Sequence, residues 1–162
     1  MVFVTFGTQK HSFERLIKKI VSSKELENED IIIQSGYTKI DEKYKRDNIE
    51  YFNFLNEEKY NEYIKKSEYV ITHAGVGSIL SAVKLNKKVL VVSRLKKYNE
   101  HMDDHQTQIA QEFKKKKFVL ILEEDDDIDK KIIKLKNFNM KEFKEKNNYI
   151  EIIEKTIDTM ID

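Results

Sequence analysis

The sequence predicts a single α/β domain, with a doubly wound parallel β-sheet covered by helices on both faces. Short apolar segments alternate along the chain with segments that have helical periodicity. The apolar segments are continuous runs, which are typical of strands buried on both faces of a parallel sheet. A length of 162 residues suits one domain with a full core, and no repeat or long linker divides the chain. We therefore expect one domain over residues 1–162.

In the first half of the chain, the predicted elements are three strands and two helices. Residues 2–6 form a short apolar run that ends at a glycine, which is typical of a buried strand. Ser12 is expected to cap a helix, because apolar residues recur after it at helical spacing. These residues are Phe13, Leu16, Ile17, Ile20 and Val21. Two more strands are predicted at 30–34 and 49–52, and a second helix begins near Asn56.

In the second half, the alternation continues. The predicted elements are strands at 68–72, 88–92 and 118–122, and helices at 78–85, 103–115, 127–135 and 140–160. The last helix carries an isoleucine stripe, which predicts packing on the sheet of this domain or docking on another subunit.

The composition narrows the functional class. Lysine and arginine number 30 against 29 acidic residues, so the net charge of +1 gives no indication of a nucleic-acid partner. No apolar run approaches the roughly 18 residues that a membrane span requires, and no segment resembles a signal peptide. The chain has no cysteine, which rules out a thiolate zinc site and agrees with a cytoplasmic location.

The most informative segment is 69–78, with the sequence YVITHAGVGS. A β-branched strand leads into a glycine turn and then into a helix that we expect to open at Ser78. Such a turn directs unpaired backbone N–H groups and the positive end of the helix towards one point, which suits a phosphate or pyrophosphate. Gly75 and Gly77 are expected to allow positive φ angles and close approach of an anion.

Other polar turns follow the predicted strands, at 7–9, 35–36 and 93–106. Because the carboxyl ends of parallel strands share one edge of the sheet, we expect these turns and the glycine turn to form one ligand-binding rim. The first strand ends in a single glycine and the second in Gln34, so the dinucleotide-binding fingerprint is missing, as is a Walker A sequence. NAD binding and ATP hydrolysis are therefore disfavoured.

Several polar residues have two interpretations. His73 either fixes the glycine turn or acts as a ligand or catalytic group. Arg94 either pairs with a phosphate or is a solvated loop charge. His101 and His105 lie four residues apart, but Glu100 precedes the first, so the H-E-x-x-H zinc motif is not matched and we expect no metal site. We expect Asp103 or Asp104 to cap the next helix instead.

Two charge runs also have alternative roles. The acidic run at 123–127 could bind a metal, but its position before a helix favours a solvated cap. The lysines at 114–117 end a helix, where cations are favourable, and contact with anionic lipid is the less favoured alternative.

Three motifs in the expected order resemble a known family: VFVTFGTQ at the N-terminus, THAGVGS in the middle and DDHQ further on. They resemble the C-terminal, donor-binding domain of glycosyltransferase family 28, and most of all the stand-alone bacterial proteins of exopolysaccharide and capsule synthesis. Those proteins are similar to the small soluble subunit of the eukaryotic transferase that adds the second GlcNAc to dolichol pyrophosphate. The resemblance, over roughly residues 1–125, implies a Rossmann-like domain that forms the C-terminal half of a GT-B glycosyltransferase.

The resemblance also implies which residues bind the donor, a UDP-sugar. Gly7 and Thr8 would contact its phosphates, and Phe54 and Leu55 would lie against the uracil. The pyrophosphate would bind at the glycine turn, and His105 and Gln106 would contact the sugar or its phosphate. The residues of the turn are His73, Ala74, Gly75, Val76, Gly77 and Ser78.

Two positions depart from the family pattern. Ser81 stands where related enzymes carry a glutamate that holds the ribose hydroxyls, so ribose binding is expected to differ here. Ser93 stands where the loop after the fifth strand usually holds a proline, which bears on the rigidity of that loop.

The expected activity is metal-independent, inverting transfer of a hexosyl group from a UDP-sugar, with no cofactor. The implied partner is a membrane-anchored subunit that holds a lipid-pyrophosphate acceptor and recruits this chain to the inner face of the membrane. Backbone N–H groups of the glycine turn would stabilise the leaving pyrophosphate. The general base would come from the partner, with His11 and His73 as local catalytic candidates. The alternatives are a non-catalytic nucleotide-sugar-binding module that regulates a partner transferase and, less favoured, half of a nucleotide-sugar epimerase.

Overall fold

The computed structural model describes residues 1–144, 151, 154 and 155. Six parallel strands form one sheet in the order β3-β2-β1-β4-β5-β6. The strands are β1 (Val2–Thr5), β2 (Ile31–Gln34), β3 (Ile49–Phe52), β4 (Tyr69–His73), β5 (Lys88–Val92) and β6 (Leu120–Ile121). The helices are α1 (Glu14–Ser22), α2 (Glu57–Lys66), α3 (Val76–Val83), α4 (His105–Lys115) and α5 (Ile128–Lys136).

Both faces of the sheet are buried, because alternate residues of each strand pack against different helices. Val4 of β1 belongs to a core shared with α1 and α5, whereas its neighbour Phe3 belongs to a core shared with α2, α3 and α4. The predicted doubly wound parallel sheet is therefore confirmed.

The strand order reverses at β1, which pairs with β2 on one side and with β4 on the other. Val4 lies opposite Ile33 of β2 and opposite Ile71 of β4. The chain runs outwards from β1 to β3, returns to β4, and then runs outwards again to β6. In sheets of this kind, the crevice beyond the carboxyl ends of the two central strands is the usual ligand site.

Two predicted helix starts are wrong. Ser12 does not cap α1: the cap position is Phe13, which has no side-chain cap bond and whose own amide donates to the Thr38 hydroxyl at 2.9 Å. Helix α3 begins at Val76 with Gly75 at its cap position, two residues before the predicted start at Ser78. The glycine turn is thus shorter than predicted, and Gly77 belongs to the first helical turn.

Two caps are formed by side chains that the sequence pointed to. The Asn56 carboxamide accepts a hydrogen bond from the Lys59 amide at 2.9 Å at the start of α2. Asp127 accepts from the Asp129 and Lys130 amides at the start of α5, which confirms a capping role for the acidic run. At the start of α4 the cap position is Asp104, whose side chain forms no cap bond, and the preceding Asp103 accepts from the His105 amide at 3.0 Å.

Most of the helix predicted at 140–160 lies outside the described residues. Residues 140–144 are not helical, and Phe143 packs its ring against Phe118 with centroids 5.5 Å apart. In the described part of the chain, no helix has the length and apolar character needed to cross a membrane.

Candidate functional site

A cavity of about 540 Å³ lies beyond the carboxyl ends of β1 and β4, and we call it the glycine cavity. It is lined by many of the residues that the sequence assigned to donor binding. They are Gly7, Thr8, Leu55, His73, Gly75, Gly77, Ser78 and Ser81. Three residues of the lining were not predicted, namely Gln34, Glu57 and Tyr60. The structure thus brings together residues at or after the carboxyl ends of four strands, β1, β2, β3 and β4.

The N-terminus of α3 presents hydrogen-bond donors at the glycine cavity. The first bond within the helix runs from the Ile79 amide to the Gly75 carbonyl at 3.0 Å, so the amides of Val76, Gly77 and Ser78 have no partner inside α3. No side chain caps this end. Unpaired amides and the positive end of the helix dipole form a favourable site for an anion.

The two glycines of the turn have different roles, and the positive φ angles predicted for them are wrong. Gly75 has φ −80°, and Gly77 lies in the helix, so neither takes a positive φ. A Cβ atom at Gly75 would collide with the His73 imidazole, whereas nothing lies within 4 Å of a Cβ atom at Gly77. Gly75 is therefore needed for packing, and Gly77 leaves open space in front of the helix.

Gly7, in the loop after β1, adopts a positive φ of +78°, as Gly36 does with φ +58°. A Cβ atom at Gly7 would also collide with the His73 imidazole. Glycine is required at this position for both its backbone angle and its small size.

His73 is buried between these two loops, with only 5% of its surface exposed. Burial, together with the positive charge of Arg94, lowers its pKa to about 3. The imidazole is therefore neutral at physiological pH and is a weak base. This environment favours the interpretation in which His73 fixes the glycine turn over a role as general base.

Gln106 holds two loops together from the start of α4. Its carboxamide oxygen accepts from the Ala74 amide at 3.2 Å and from the Arg94 amide at 3.0 Å, and the residue is only 3% exposed. The oxygen is thus used inside the protein. His105, also predicted to contact the sugar, does not line the glycine cavity, and its imidazole lies 3.4 Å from the Asp103 carboxylate.

Arg94 fits neither of its two sequence interpretations. The side chain is buried at 1% exposure, and its guanidinium donates to three backbone carbonyls, those of Phe6, His11 and Glu100. Burial lowers its pKa to about 10, a value at which the group stays charged at neutral pH. Arg94 therefore fixes the loop after β1 instead of binding a phosphate at the surface.

Two other predicted residues lie outside the glycine cavity. Phe54 is 49% exposed and lines a neighbouring cavity, where its ring packs on that of Tyr37 with centroids 5.1 Å apart. His11 lines a separate cavity beside α1. The geometry therefore separates His11 from the unpaired amides of α3.

The three unpredicted residues of the glycine cavity come from two elements. Gln34 is the last residue of β2, and Glu57 and Tyr60 lie at the start of α2. The Gln34 carboxamide oxygen accepts from the Leu55 amide at 3.0 Å, and its nitrogen donates to the Thr5 hydroxyl at 3.2 Å. Burial raises the pKa of Tyr60, although hydrogen bonds with Ser78 and Thr5 oppose the shift. The sequence did contain a signal for Gln34, because it is a polar residue that directly follows the three isoleucines of β2.

Ser81 faces the glycine cavity one helical turn after Gly77. Its hydroxyl donates to the Gly77 carbonyl at 2.7 Å, a common bond for serine within a helix. Among the described residues, no three histidine, aspartate or glutamate side chains are grouped so that they could hold a metal ion.

The sheet order and the amides of α3 beside the switch point define a Rossmann-like domain, the architecture of the C-terminal half of GT-B glycosyltransferases. The family profile of the glycosyltransferase family 28 C-terminal domain matches residues 1–160, and the chain belongs to that family.

Curated relatives and a solved structure agree with this assignment. The UDP-N-acetylglucosamine transferase subunit ALG13 of Candida albicans is 38% identical over 72 residues, covering 44% of this chain and 23% of the relative. The subunit of the same name from Debaryomyces hansenii is 33% identical over 106 residues, covering 60% and 49%. The matches thus span half or less of these relatives.

A solution structure of ALG13 has the same fold. It superposes with a TM-score of 0.61 and 22% identity, and the match covers 94% of this chain and 93% of the other.

Proposed function

We propose that this chain is the donor-binding, catalytic subunit of a heteromeric inverting glycosyltransferase that uses a UDP-sugar. The observation that carries the proposal is the N-terminus of α3, where the amides of Val76, Gly77 and Ser78 have no partner within the helix and where Gly77 and Ser78 line the glycine cavity. A diphosphate accepts hydrogen bonds from such a helix N-terminus. Gly7 and Thr8 border the same cavity from the loop after β1, so the diphosphate would lie beyond the carboxyl ends of the two central strands.

The relatives support UDP-N-acetylglucosamine as the donor, because both fungal proteins are named as subunits of a transferase for that sugar. The expected role in exopolysaccharide or capsule synthesis has no support in these relatives, and the proposal does not include it. Leu55 and, from the neighbouring cavity, Phe54 would provide the apolar surface for the uracil.

In the proposed reaction, an acceptor hydroxyl attacks the anomeric carbon while the bond from that carbon to the β-phosphate oxygen breaks. The bonding electrons pass to the leaving UDP, whose growing negative charge is met by the amides of Val76, Gly77 and Ser78. Donors that are already in place stabilise such a charge without reorganisation. No metal is required for this step of the proposal.

The proton of the acceptor hydroxyl would be taken by a base outside the glycine cavity. His73 is a weak base, because its pKa is lowered to about 3. His11 lines a different cavity. Glu57 lines the glycine cavity from the start of α2, beside the apolar surface proposed for the uracil. This arrangement supports a base supplied by the partner subunit.

The charges of the glycine cavity also support a partner. Its lining contains no lysine or arginine among the described residues, so neutral donors alone would meet the donor diphosphate. The proposed partner is a membrane-anchored subunit that holds a lipid-pyrophosphate acceptor, supplies the missing cation, and recruits this chain to the cytoplasmic face of the membrane.

The test is a transfer assay with purified chain, UDP-N-acetylglucosamine and a lipid-pyrophosphate acceptor, with and without a co-expressed partner subunit. The proposal expects saturable UDP binding by the chain alone and transfer only with the partner. Absence of UDP binding would contradict it. Transfer that persists with Gly77→Val would favour the alternative, a regulatory nucleotide-sugar-binding module.

A further inference from the structure

A second cavity of about 570 Å³ lies on the other side of the β1–α1 loop from the glycine cavity, and we call it the basic cavity. Its lining includes three cationic side chains, Lys10, Arg15 and Lys18, together with the imidazole of His11. None of these residues lines the glycine cavity. The proposed function therefore leaves this cavity without a role.

The two carboxylates in the basic cavity already have partners. Glu100 forms a bidentate pair with Arg15, with both distances 2.9 Å, and it also accepts from the Leu95 amide at 2.8 Å. Glu14 accepts from the Tyr44 hydroxyl at 2.5 Å and lies 3.7 Å from Lys18.

Lys10 is exposed, and among the described residues no carboxylate lies within ion-pairing distance of it. The cationic charge of the cavity is thus only partly compensated, which favours an anion in the open volume.

The backbone beneath the basic cavity is fixed. The buried Arg94 guanidinium donates to the Phe6 and His11 carbonyls on either side of the loop, at 2.6 and 2.8 Å. At the other end, the Phe13 amide donates to the Thr38 hydroxyl. Lys10, His11 and Ser12 therefore project from an anchored loop, so little ordering is needed when a ligand binds.

The two cavities are bordered by nearby residues of one loop, but they differ in the charge of the groups that they offer to a ligand. Thr8 borders the glycine cavity, which has neutral donors, and Lys10 borders the basic cavity, which has lysines. A UDP group, with its base and ribose, suits the first. A phosphate ester without a nucleoside suits the second, where ammonium groups act as point charges.

We infer that the basic cavity is a second anion site, which binds the phosphate or diphosphate of an ester other than the nucleotide through Lys10, Lys18 and His11. The identity of this ester rests on the proposed function. If the chain is the donor-binding subunit of a glycosyltransferase, the ester is the acceptor substrate. Its phosphate would then lie on the opposite side of the loop from the donor diphosphate. The same chemistry could be presented by a soluble diphosphate or by a lipid headgroup.

The experiment is a ¹H–¹⁵N NMR titration of the full chain with inorganic pyrophosphate, first without and then with saturating UDP. We expect pyrophosphate to shift the amides of residues 10–18 in both conditions. Lys10→Ala with Lys18→Ala should weaken this binding about thirtyfold. Lys65→Ala, at an exposed lysine on α2 remote from both cavities, is the matched control and should have no effect.

A second arm uses vesicles of equal parts phosphatidylcholine and phosphatidic acid, compared with phosphatidylcholine alone. Binding to the acidic vesicles that is lost in the double variant supports the site and identifies a lipid headgroup as its source of phosphate. Pyrophosphate binding that UDP abolishes, or binding of both probes that the double variant leaves unchanged, would overturn the inference. If UDP fails to bind while pyrophosphate binds, the proposed function is contradicted. The pyrophosphate and vesicle results would still test the anion site in the basic cavity.

Discussion

The imidazole of His73 fills the space into which a side chain at Gly75 would project, and it does the same at Gly7. One buried ring is therefore packed against the loops that follow both central strands. Because these loops border the glycine cavity, the ring sets the spacing of the surfaces that are proposed to hold the donor diphosphate.

Gly75→Ala should destabilise the protein, because the new methyl group would collide with the His73 ring. Overpacking a buried site typically costs about 1–3 kcal/mol. Urea denaturation of the variant and the wild type measures the difference. An unchanged free energy of unfolding would show that the turn accommodates the methyl group and that the contact with the His73 ring does not constrain position 75.

Gly77→Ala should have the opposite effect on stability. Nothing lies within 4 Å of the new Cβ atom, and alanine favours a helix over glycine by up to about 1 kcal/mol. The methyl group would still occupy the space in front of the α3 amides. We expect an equal or higher melting temperature, with UDP affinity reduced by about tenfold, which corresponds to 1.4 kcal/mol. Wild-type affinity in Gly77→Val would place the diphosphate elsewhere.

Gln106→Ala should destabilise the fold, since its oxygen accepts from the buried amides of Ala74 and Arg94. Leaving buried donors without a partner costs about 1–3 kcal/mol each. The matched control is Gln108→Ala, an exposed position on the same helix, which should change stability by less than about 0.5 kcal/mol. Equal stability of the two variants would favour a role for Gln106 in ligand contact alone.

The free energy of unfolding should fall as the pH is lowered from about 6.5 to about 3, because His73 titrates in this range in the unfolded chain but stays neutral in the folded protein. Its pKa is about 3 in the folded protein against an ordinary value of 6.5, so the unfolded chain binds more protons between these values. His73 therefore contributes stability that is complete above about pH 6.5 and is lost towards pH 3. Free energies of unfolding should depend less steeply on pH in His73→Asn than in the control variant His105→Asn. An equal slope would contradict the buried, neutral imidazole.

Arg94→Lys should destabilise the protein by about 3 kcal/mol, because lysine cannot reproduce the bonds to three carbonyls from one planar group. Lys96→Ala, at an exposed position in the same loop, is the control. Chemical denaturation compares the two. Wild-type stability of Arg94→Lys combined with a loss of UDP affinity would instead indicate direct contact with a phosphate.

The sequence predicted the alternation of strands and helices because local patterns determine it. An apolar run or a helical spacing lies within the strand or helix that it predicts. The cap residues Asn56 and Asp127 likewise directly precede the helices that they begin. The glycine turn was recognised for the same reason. Its exact start was not, because Gly77 adopts helical angles as readily as turn angles.

The roles of Arg94 and Gln106 could not be predicted, because they depend on contacts across the fold. Arg94 donates to Phe6, which is 88 positions away, and Gln106 accepts from Ala74, which is 32 positions away. In the sequence, each is a polar residue in or beside a loop, a pattern that is equally typical of a ligand contact. The separation of His11 from the α3 amides likewise depends on which side of the β1–α1 loop it faces.

A ¹H–¹⁵N NMR titration of the chain with UDP-N-acetylglucosamine tests the donor site at the N-terminus of α3 most directly. We expect saturable shifts centred on the amides of Gly7, Val76, Gly77 and Ser78, with those of Lys10 and Lys18 little changed. The absence of saturable shifts, or shifts confined to the basic cavity, would contradict a donor site at the N-terminus of α3.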